Sequence, residues 1–153
     1  MHAHKIDLPV LDPRGEEIKE ADAFLFGIPT RYGLMSGQMK VFFDGCGGLF
    51  ATGGLMGKLA GTFFSTSTQH GGQETTALTA VTHFAHLGMI YIPLGYAHPD
   101  LFQLTEVMGG SPYGAGTMSA GDNSRQVSEK ELALARVQGE NFAKYAVQFK
   151  HHH

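Results

Sequence analysis

The amino-acid sequence predicts an α/β layer sandwich built on a parallel β-sheet. Two short segments, Ala23–Ile28 and Met89–Leu94, are apolar at consecutive positions, which is typical of strands buried on both faces of a sheet. Gly61–Ser65 is a third predicted strand. A segment with helical periodicity follows each of them, and this alternation favours parallel pairing. The 153 residues suit one domain, assigned to residues 1–150, and residues 151–153 are interpreted as a histidine-tag remnant.

The first strand is predicted at Ala23–Ile28, where six apolar or small residues precede Pro29. A short helix within residues 14–21 leads into it. Ser36 is expected to cap the next helix, because serine at that position can accept a hydrogen bond from the first turn. Gly47-Gly48 is interpreted as the end of that helix.

The middle of the chain repeats the pattern. Gly61–Ser65 is predicted to be the second strand, and a polar loop over residues 66–72 follows it. The next helix is expected over residues 74–87, with Gly88 as its stop signal, and Met89–Leu94 as the third strand. The expected apolar face of that helix consists of Leu78, Val81 and Phe84.

The last helix is predicted over residues 129–149. Ser128 and Glu131 form a capping-box pattern at its start. Before it, residues 95–127 are glycine-rich and have little periodicity, and a stretch of that length favours a functional or interface-forming role. The expected core stripe of the helix is Leu132, Ala135, Gly139, Phe142, Ala146 and Phe149.

Charge and cysteine content narrow the possible function classes. The net charge is −3 and the isoelectric point is about 6.3, so no attraction to nucleic acid or to an anionic membrane is expected. The sequence has no apolar run of membrane-spanning length and no signal-peptide pattern. Cys46 is the single cysteine, which fits a reducing compartment and makes the cytoplasm the expected location. Because only 16% of residues are charged, part of the surface is expected to be buried against other subunits.

Two of the predicted strand ends carry loops with binding potential. Residues 29–33 add the guanidinium of Arg31 and the ring of Tyr32, and residues 65–72 add hydroxyls and small residues. Ligands of open parallel sheets bind beyond the carboxyl ends of the strands, so these groups suit a planar, polar-edged, anionic ligand. Plain turns explain the glycine and serine residues equally well. Neither a GxGxxG nor a GxxxxGK[ST] pattern is present.

Histidine spacing does not indicate a metal site. His83 and His86 are three residues apart on one helix face, but no cysteine or carboxylate cluster completes a ligand set. A favourable interaction with the carboxyl end of the helix also explains His86. His2 and His4 are expected at the surface. Phe50 is expected in a glycine-rich loop, where an exposed ring can stack on a ligand.

An ordered series of sequence blocks carries a family resemblance. They are FGIPTRYG at 26–33, GGL at 47–49, STSTQHGGQE at 65–74, HLGM at 86–89, PLGY at 93–96, GGSPYGA at 109–115 and GDNSRQ at 121–126. Together they resemble the WrbA-type NAD(P)H:quinone oxidoreductases, which are flavodoxin-like FMN proteins, over about residues 15–149.

The resemblance implies positions for the cofactor and the substrate. Residues 30–32 would border the flavin ring and its pyrimidine edge, and residues 65–72 would wrap the other edge through backbone N–H groups. His86 would reach the same pocket, with a neighbouring subunit as one source, and Phe50 would cover nicotinamide or quinone over the flavin. The cofactor-binding residues implied are Pro29, Thr30, Arg31, Tyr32, Ser65, Thr66, Ser67, Thr68, Gln69, Gly71, Gly72 and His86.

The resemblance also implies an activity. NADH or NADPH would reduce FMN and leave, and a quinone would then take two electrons at the same face in a ping-pong mechanism. Members of the family are typically tetramers with sites at subunit contacts. No catalytic acid or base is assigned, because the protein mainly positions the reactants.

Compared with that family, the chain is expected to lack the N-terminal βαβ portion of a flavodoxin-like three-layer sandwich with a parallel sheet. That portion includes the loop that cradles the FMN phosphate, so FMN affinity is expected to be low. The strand at Ala23–Ile28 is expected to have an unpaired apolar edge, covered by another chain or by the N-terminal segment. A flavin-free structural or regulatory homologue and an inactive truncated form remain alternatives.

Overall fold

The computed structural model describes residues 9–151, with side chains through residue 150. His2 and His4 lie outside the described residues, as do His152 and His153 of the segment interpreted as a tag remnant. The strands are β1 (Ala23–Arg31), β2 (Leu34–Met35), β3 (Leu59–Thr66), β4 (Ile90–Tyr91) and β5 (Gly116–Met118). The helices are α1 (Glu16–Glu20), α2 (Gly37–Gly45), α3 (Gly47–Thr52), α4 (Gln73–His86) and α5 (Glu129–His151), with a 3₁₀ turn at Pro99–Phe102.

The sheet is mostly parallel and is centred on β3. β1 runs parallel to β3 along one edge, from the pair Ala23–Leu59 to the pair Pro29–Ser65. β4 and β5 lie end to end along the other edge, with β4 at the start of β3 and β5 at its carboxyl end. Residues 92–115 therefore leave the sheet after β4 and return to the same edge as β5.

The outer edge of β1 is paired only at its carboxyl end, where β2 joins it in antiparallel fashion. Within residues 9–151, no strand pairs with this edge along Ala23–Pro29. Leu25 and Phe63, on the face beside it, are 37% and 46% exposed. The unpaired apolar edge expected from the sequence is therefore present in the part of the chain that the structure describes.

Helices cover both faces of the sheet, which gives three layers. α5 lies on one face, where Phe142 approaches Gly61 of β3, with a small cluster formed by Leu94, Ala115 and Leu134 nearby. The other helices enclose the larger core. Its buried members are Ile18, Ile28, Phe43, Cys46, Leu49, Leu55, Ala60, Ala80, Phe84 and Met89.

Two predicted boundaries in the first half are wrong. β1 continues through Pro29 to Arg31, which is tolerated because β1 is an edge strand and its outer side needs no donor there. Gly47-Gly48 begins α3 instead of ending the preceding helix. Burial of Leu49 holds this second helix against the core, so Phe50 lies on a helix and not in a glycine-rich loop.

The predicted face of α4 is partly wrong. Leu78 is 47% exposed, whereas Phe84 is fully buried as expected. Small residues complete the buried side, because α4 lies close to the sheet and leaves little room for larger ones. The buried residues are Thr76, Ala77, Ala80 and Phe84.

The predicted stripe of α5 is displaced by one residue over its first two turns. Glu131, Leu134 and Gln138 are buried there, while Ala135 is exposed. The two polar members are buried because they accept hydrogen bonds from backbone N–H groups of residues 109–115. The capping box is confirmed, since Glu131 and Ser128 exchange side-chain to backbone hydrogen bonds.

The third predicted strand is shorter than Met89–Leu94. β4 spans only Ile90–Tyr91, although the N–H of Ile92 still donates to the carbonyl of Ala60. Proline at position 93 lacks a donor for further pairing. β5 was missed within the glycine-rich stretch because three residues give no usable periodicity. Along residues 9–151, no helix combines the length and apolar composition needed to cross a membrane.

Candidate functional site

The two loops singled out in the sequence meet at the carboxyl edge of the sheet. A side-chain carbon on Gly72 would lie 2.6 Å from the Cα atom of Gly33, so the two backbones are in direct contact. Below them, the hydroxyls of Thr30 and Thr76 share a buried hydrogen bond of 3.0 Å. The structure therefore brings residues 29–33 and 65–72 together into one surface.

The first loop is a two-residue turn between β1 and β2. Tyr32 and Gly33 have φ values of 54° and 76°, the positive pair that defines a type I′ hairpin turn. A positive φ is uncommon and strained for a residue such as tyrosine, and strain of this kind clusters at functional sites. The Tyr32 ring is fully exposed, and Arg31 beside it donates to the carbonyl of Thr30 at 2.9 Å.

The second loop, residues 65–72, leaves several backbone donors unpaired within the described residues. In the described part of the chain, the N–H groups of residues 67–70 donate no hydrogen bond. Carbonyls of the same loop point inward, since that of Thr68 accepts from Gly71 N–H at 3.1 Å and that of Thr66 accepts from Ser119 N–H at 2.9 Å. Consecutive unpaired N–H groups suit a ligand whose edge carries carbonyl oxygens and acceptor nitrogens.

The side chains of the predicted site residues divide into two groups. Thr30 and Thr66 are buried and bond inward, so only their backbones remain available to a ligand. The exposed side chains at the surface are Arg31, Tyr32, Ser67, Thr68, Gln69 and His70. Pro29, Ser65, Gly71 and Gly72 are partly buried and shape its floor.

Phe50 and His86 lie elsewhere in the chain. His86 is in the last turn of α4, 14 residues from Gly72, which corresponds to about 20 Å along a helix. With Phe50, which is 61% exposed, it lines a separate cavity of about 270 Å³ between α4 and the α2–α3 pair. Within one chain, the length of α4 separates His86 from residues 65–72. That His86 reaches their pocket, with a neighbouring subunit as one source, stays a prediction.

A buried carboxylate anchors the segments behind the second loop. Both oxygens of Glu131, which is 2% exposed, are bonded. Burial acts to raise the pKa of Glu131, but hydrogen bonds from Arg125 and three other groups lower it overall. The donors are Gly109 N–H, Thr117 Oγ1, Arg125 and Ser128 N–H, at 2.8–3.0 Å.

Sequence reasoning missed Gln73 and Glu131 as parts of this region. Gln73 begins α4 and Glu131 lies in the first turn of α5. In the sequence, both look like ordinary polar residues at the start of a helix. The available signal for Glu131 was its capping-box pattern. Gln73 lies in the block STSTQHGGQE that carries the family resemblance, but its bonds could not be predicted, because two of its partners are 37 and 44 residues away.

The fold and this edge define a flavodoxin-like α/β protein. Similarity to solved structures supports that class. A flavodoxin, WrbA-like protein from Agrobacterium tumefaciens has a TM-score of 0.65 at 25% identity, covering 88% of this chain and 71% of that one. A flavodoxin from the domain Archaea has a TM-score of 0.52 at 20% identity, covering 86% and 69%.

The family follows from sequence. The model of the NADPH-dependent FMN reductase family matches residues 7–101, and this chain belongs to that family. It is 56% identical over 136 residues to the quinone-oxidoreductase QR2 of Triphysaria versicolor, and 51% identical over 146 residues to the NAD(P)H quinone oxidoreductase PST2 of Candida albicans. These matches cover 88% and 95% of this chain, and 65% and 72% of the relatives' lengths. The resemblance to WrbA-type quinone oxidoreductases is confirmed.

Proposed function

We propose that this chain is an FMN-dependent NAD(P)H:quinone oxidoreductase. The observation that carries the proposal is the row of N–H groups at residues 67–70 that donate no hydrogen bond within the described residues, in a loop whose Gly72 lies against Gly33 of the Tyr32–Gly33 turn. The pyrimidine edge of an isoalloxazine presents the acceptors that such a row needs. The names of the two curated relatives supply the reaction class.

The residues present fit the ring of FMN. Glycine at 33 and 72 leaves the surface flat, since a side chain on Gly72 would collide with Gly33. Arg31 contributes a positive charge beside the ring edge, and the exposed hydroxyls of Ser67 and Thr68 add further hydrogen-bonding groups. When bound, the flavin would supply hydride acceptance and two-electron transfer, chemistry that side chains lack.

The residues described at 9–22 do not provide a phosphate cradle. They contain an extended segment and α1, and in that range no glycine-rich turn connects a strand to a helix N-terminus. The dianionic phosphate of FMN therefore gains few donors here. We propose that the isoalloxazine ring, and not the phosphate, provides most of the binding free energy.

We propose further that the active form is a homotetramer in which Phe50 and His86 face the loops of a neighbouring subunit. Their separation from residues 67–72 along α4 means that they can contact the same ligand only from another chain. Phe50 would then cover a quinone or nicotinamide over the flavin, and the two substrates would use this one face in turn. The lone, buried thiol of Cys46 fits a cytoplasmic location.

The test is to purify the chain with added FMN and to follow NADH and NADPH oxidation with benzoquinone as acceptor. A yellow protein with parallel double-reciprocal plots supports the proposal, and the preferred nucleotide is read from the same data. A colourless, assembled protein with no turnover contradicts it and supports a flavin-free homologue.

A further inference from the structure

Gln73, the first residue of α4, lies directly behind the second loop and uses both of its side-chain donors and its acceptor oxygen. Its amide nitrogen donates to Thr66 Oγ1 at 3.1 Å and to the carbonyl of Thr117 at 3.0 Å. Its oxygen accepts from Gly110 N–H at 2.8 Å. One side chain thus joins the end of β3, the strand β5 and the segment inserted before β5.

The bond to Thr66 sets the direction of the next hydrogen bond. A hydroxyl has a single proton, and Thr66 accepts from Gln73, so its proton is directed to the carbonyl of Thr68 at 2.9 Å. Gly71 N–H donates to that same carbonyl. The carbonyl and the N–H of one trans peptide point in opposite directions, so two donors holding the Thr68 carbonyl turn the N–H of Gln69 away from them. Within the described residues, the neighbouring N–H groups of residues 67–70 donate no hydrogen bond either.

We propose that Gln73 is a positioning residue for flavin binding, which acts through Thr66 to fix the polarity of the loop. That the bound ligand is a flavin rests on the proposed function. That Gln73 orders the loop through Thr66 does not depend on it. Gln73 itself is placed behind the loop and has no donor left for a ligand.

Gln138 offers a matched control. It is buried, whereas Gln73 is partly buried, and it too bridges β3 to residues next to β5, accepting from Ala115 N–H and donating to the carbonyl of Thr62, both at 2.8 Å. These partners lie away from residues 67–72. Replacing either glutamine with methionine removes a similar bridge at similar volume, so loss of stability alone would affect both variants alike.

The first measurement uses amide hydrogen exchange without flavin. In Gln73→Met, exchange at Gly71 is expected to be at least tenfold faster than in the parent chain, although Gly71 makes no bond to Gln73. In Gln138→Met, exchange at Ala115 is expected to rise while that at Gly71 stays within threefold. Unchanged exchange at Gly71 in Gln73→Met would overturn the proposal.

The second measurement is the dissociation constant of riboflavin, which has the ring but no phosphate, from fluorescence titration. It is expected to rise at least tenfold in Gln73→Met and less than threefold in Gln138→Met, with the same ratios for FMN. Equal effects of the two variants would contradict the proposal, because they would show that Gln73 contributes only to the stability of the fold. If the parent chain fails to bind riboflavin, the proposed function is refuted, while the exchange result still decides whether Gln73 orders the loop.

A second variant covers the case in which Gln73→Met does not fold. Gln73→Glu keeps the acceptor for Gly110 but offers a carboxylate to Thr66. The Thr66 hydroxyl would then donate to the carboxylate and release the Thr68 carbonyl, so the tenfold effects at Gly71 and on riboflavin are expected again. Parent-like values in a folded Gln73→Glu variant contradict the proposed direction of the bond.

Discussion

The hydroxyls of Thr30 and Thr76 share a buried hydrogen bond across 46 residues of sequence. It joins the end of β1 to the first turn of α4, immediately beneath the contact between Gly33 and Gly72. Thr76 also bonds to the carbonyl of Gly72 at 2.8 Å. This connection fixes the relative position of the two loops that form the candidate site.

Replacing Thr30 with valine removes a buried partner of Thr76 and keeps the side-chain shape. The free energy of unfolding is expected to fall by about 1–2 kcal/mol, measured by urea titration. Thr30→Ser, which keeps the hydroxyl, is the control and should retain the hydrogen bond. A valine variant as stable as the parent chain would show that the bond does not hold the two loops together.

Replacing Gly72 with alanine introduces a side chain where φ is +94° and Gly33 is 2.6 Å away. A loss of stability of about 2 kcal/mol or more is expected, together with weaker flavin binding as the loops separate. Gly95→Ala is the matched control, because φ is also positive there, at +63°, but nothing lies within 4 Å of the added carbon, so only the backbone strain of about 1 kcal/mol is expected. Equal effects would contradict the close loop contact.

The pH dependence of stability should include a contribution from Glu131. Hydrogen bonds hold its pKa below the ordinary value despite burial, so the folded chain binds this proton more weakly than the unfolded chain does. The stabilisation is complete above roughly pH 4.3, the unfolded value, and is lost as the pH falls through the lower folded value. Urea titrations between about pH 6 and pH 3 measure it.

Glu131→Gln provides the comparison for that experiment. An amide replaces one acceptor oxygen with a donor and leaves Arg125 without its charged partner, so a loss of about 2–3 kcal/mol at neutral pH is expected. The free energy of unfolding of this variant should also fall less between about pH 6 and pH 3 than that of the parent chain. An unaltered acid profile would show that Glu131 is not a source of the pH dependence.

Replacing Phe50 with alanine should leave the stability of the isolated fold within about 0.5 kcal/mol, because the ring is 61% exposed. The proposed contact across subunits instead predicts a higher KM for quinones. Val147→Ala on α5, also more than half exposed, is the control and should leave KM unchanged. A parent-like KM in Phe50→Ala would contradict the placement of Phe50 over a neighbour's ligand.

The sequence was most informative where one local pattern determines one element. The apolar run Ala23–Ile28 predicted β1, and the capping box predicted the start of α5. It was least informative where a distant partner decides burial. Glu131 and Gln138 occupy the buried side of α5 because backbone N–H groups of residues 109–115 need acceptors. The hydrophobic periodicity of a helix does not indicate such hydrogen-bond partners.

The candidate site shows the same division. The loops after β1 and β3 could be located from the sequence because parallel strands end at one edge of a sheet. The type I′ turn at Tyr32-Gly33 was missed, since tyrosine is not a usual residue at positive φ. The separation of His86 from the loops also needed coordinates, because the resemblance gives positions in a chain and not the subunit that supplies them.

The central claim is that residues 30–33 and 67–72 form a surface for an isoalloxazine ring, and riboflavin titration tests it most directly. Saturable quenching of riboflavin fluorescence is expected, with a dissociation constant within about threefold of that for FMN because residues 9–22 contain no phosphate cradle. A titration that shows no saturation up to a protein concentration of about 1 mM, which corresponds to about −4 kcal/mol of binding free energy, would contradict the claim. FMN binding many-fold tighter than riboflavin would instead contradict the assignment of the binding free energy to the ring.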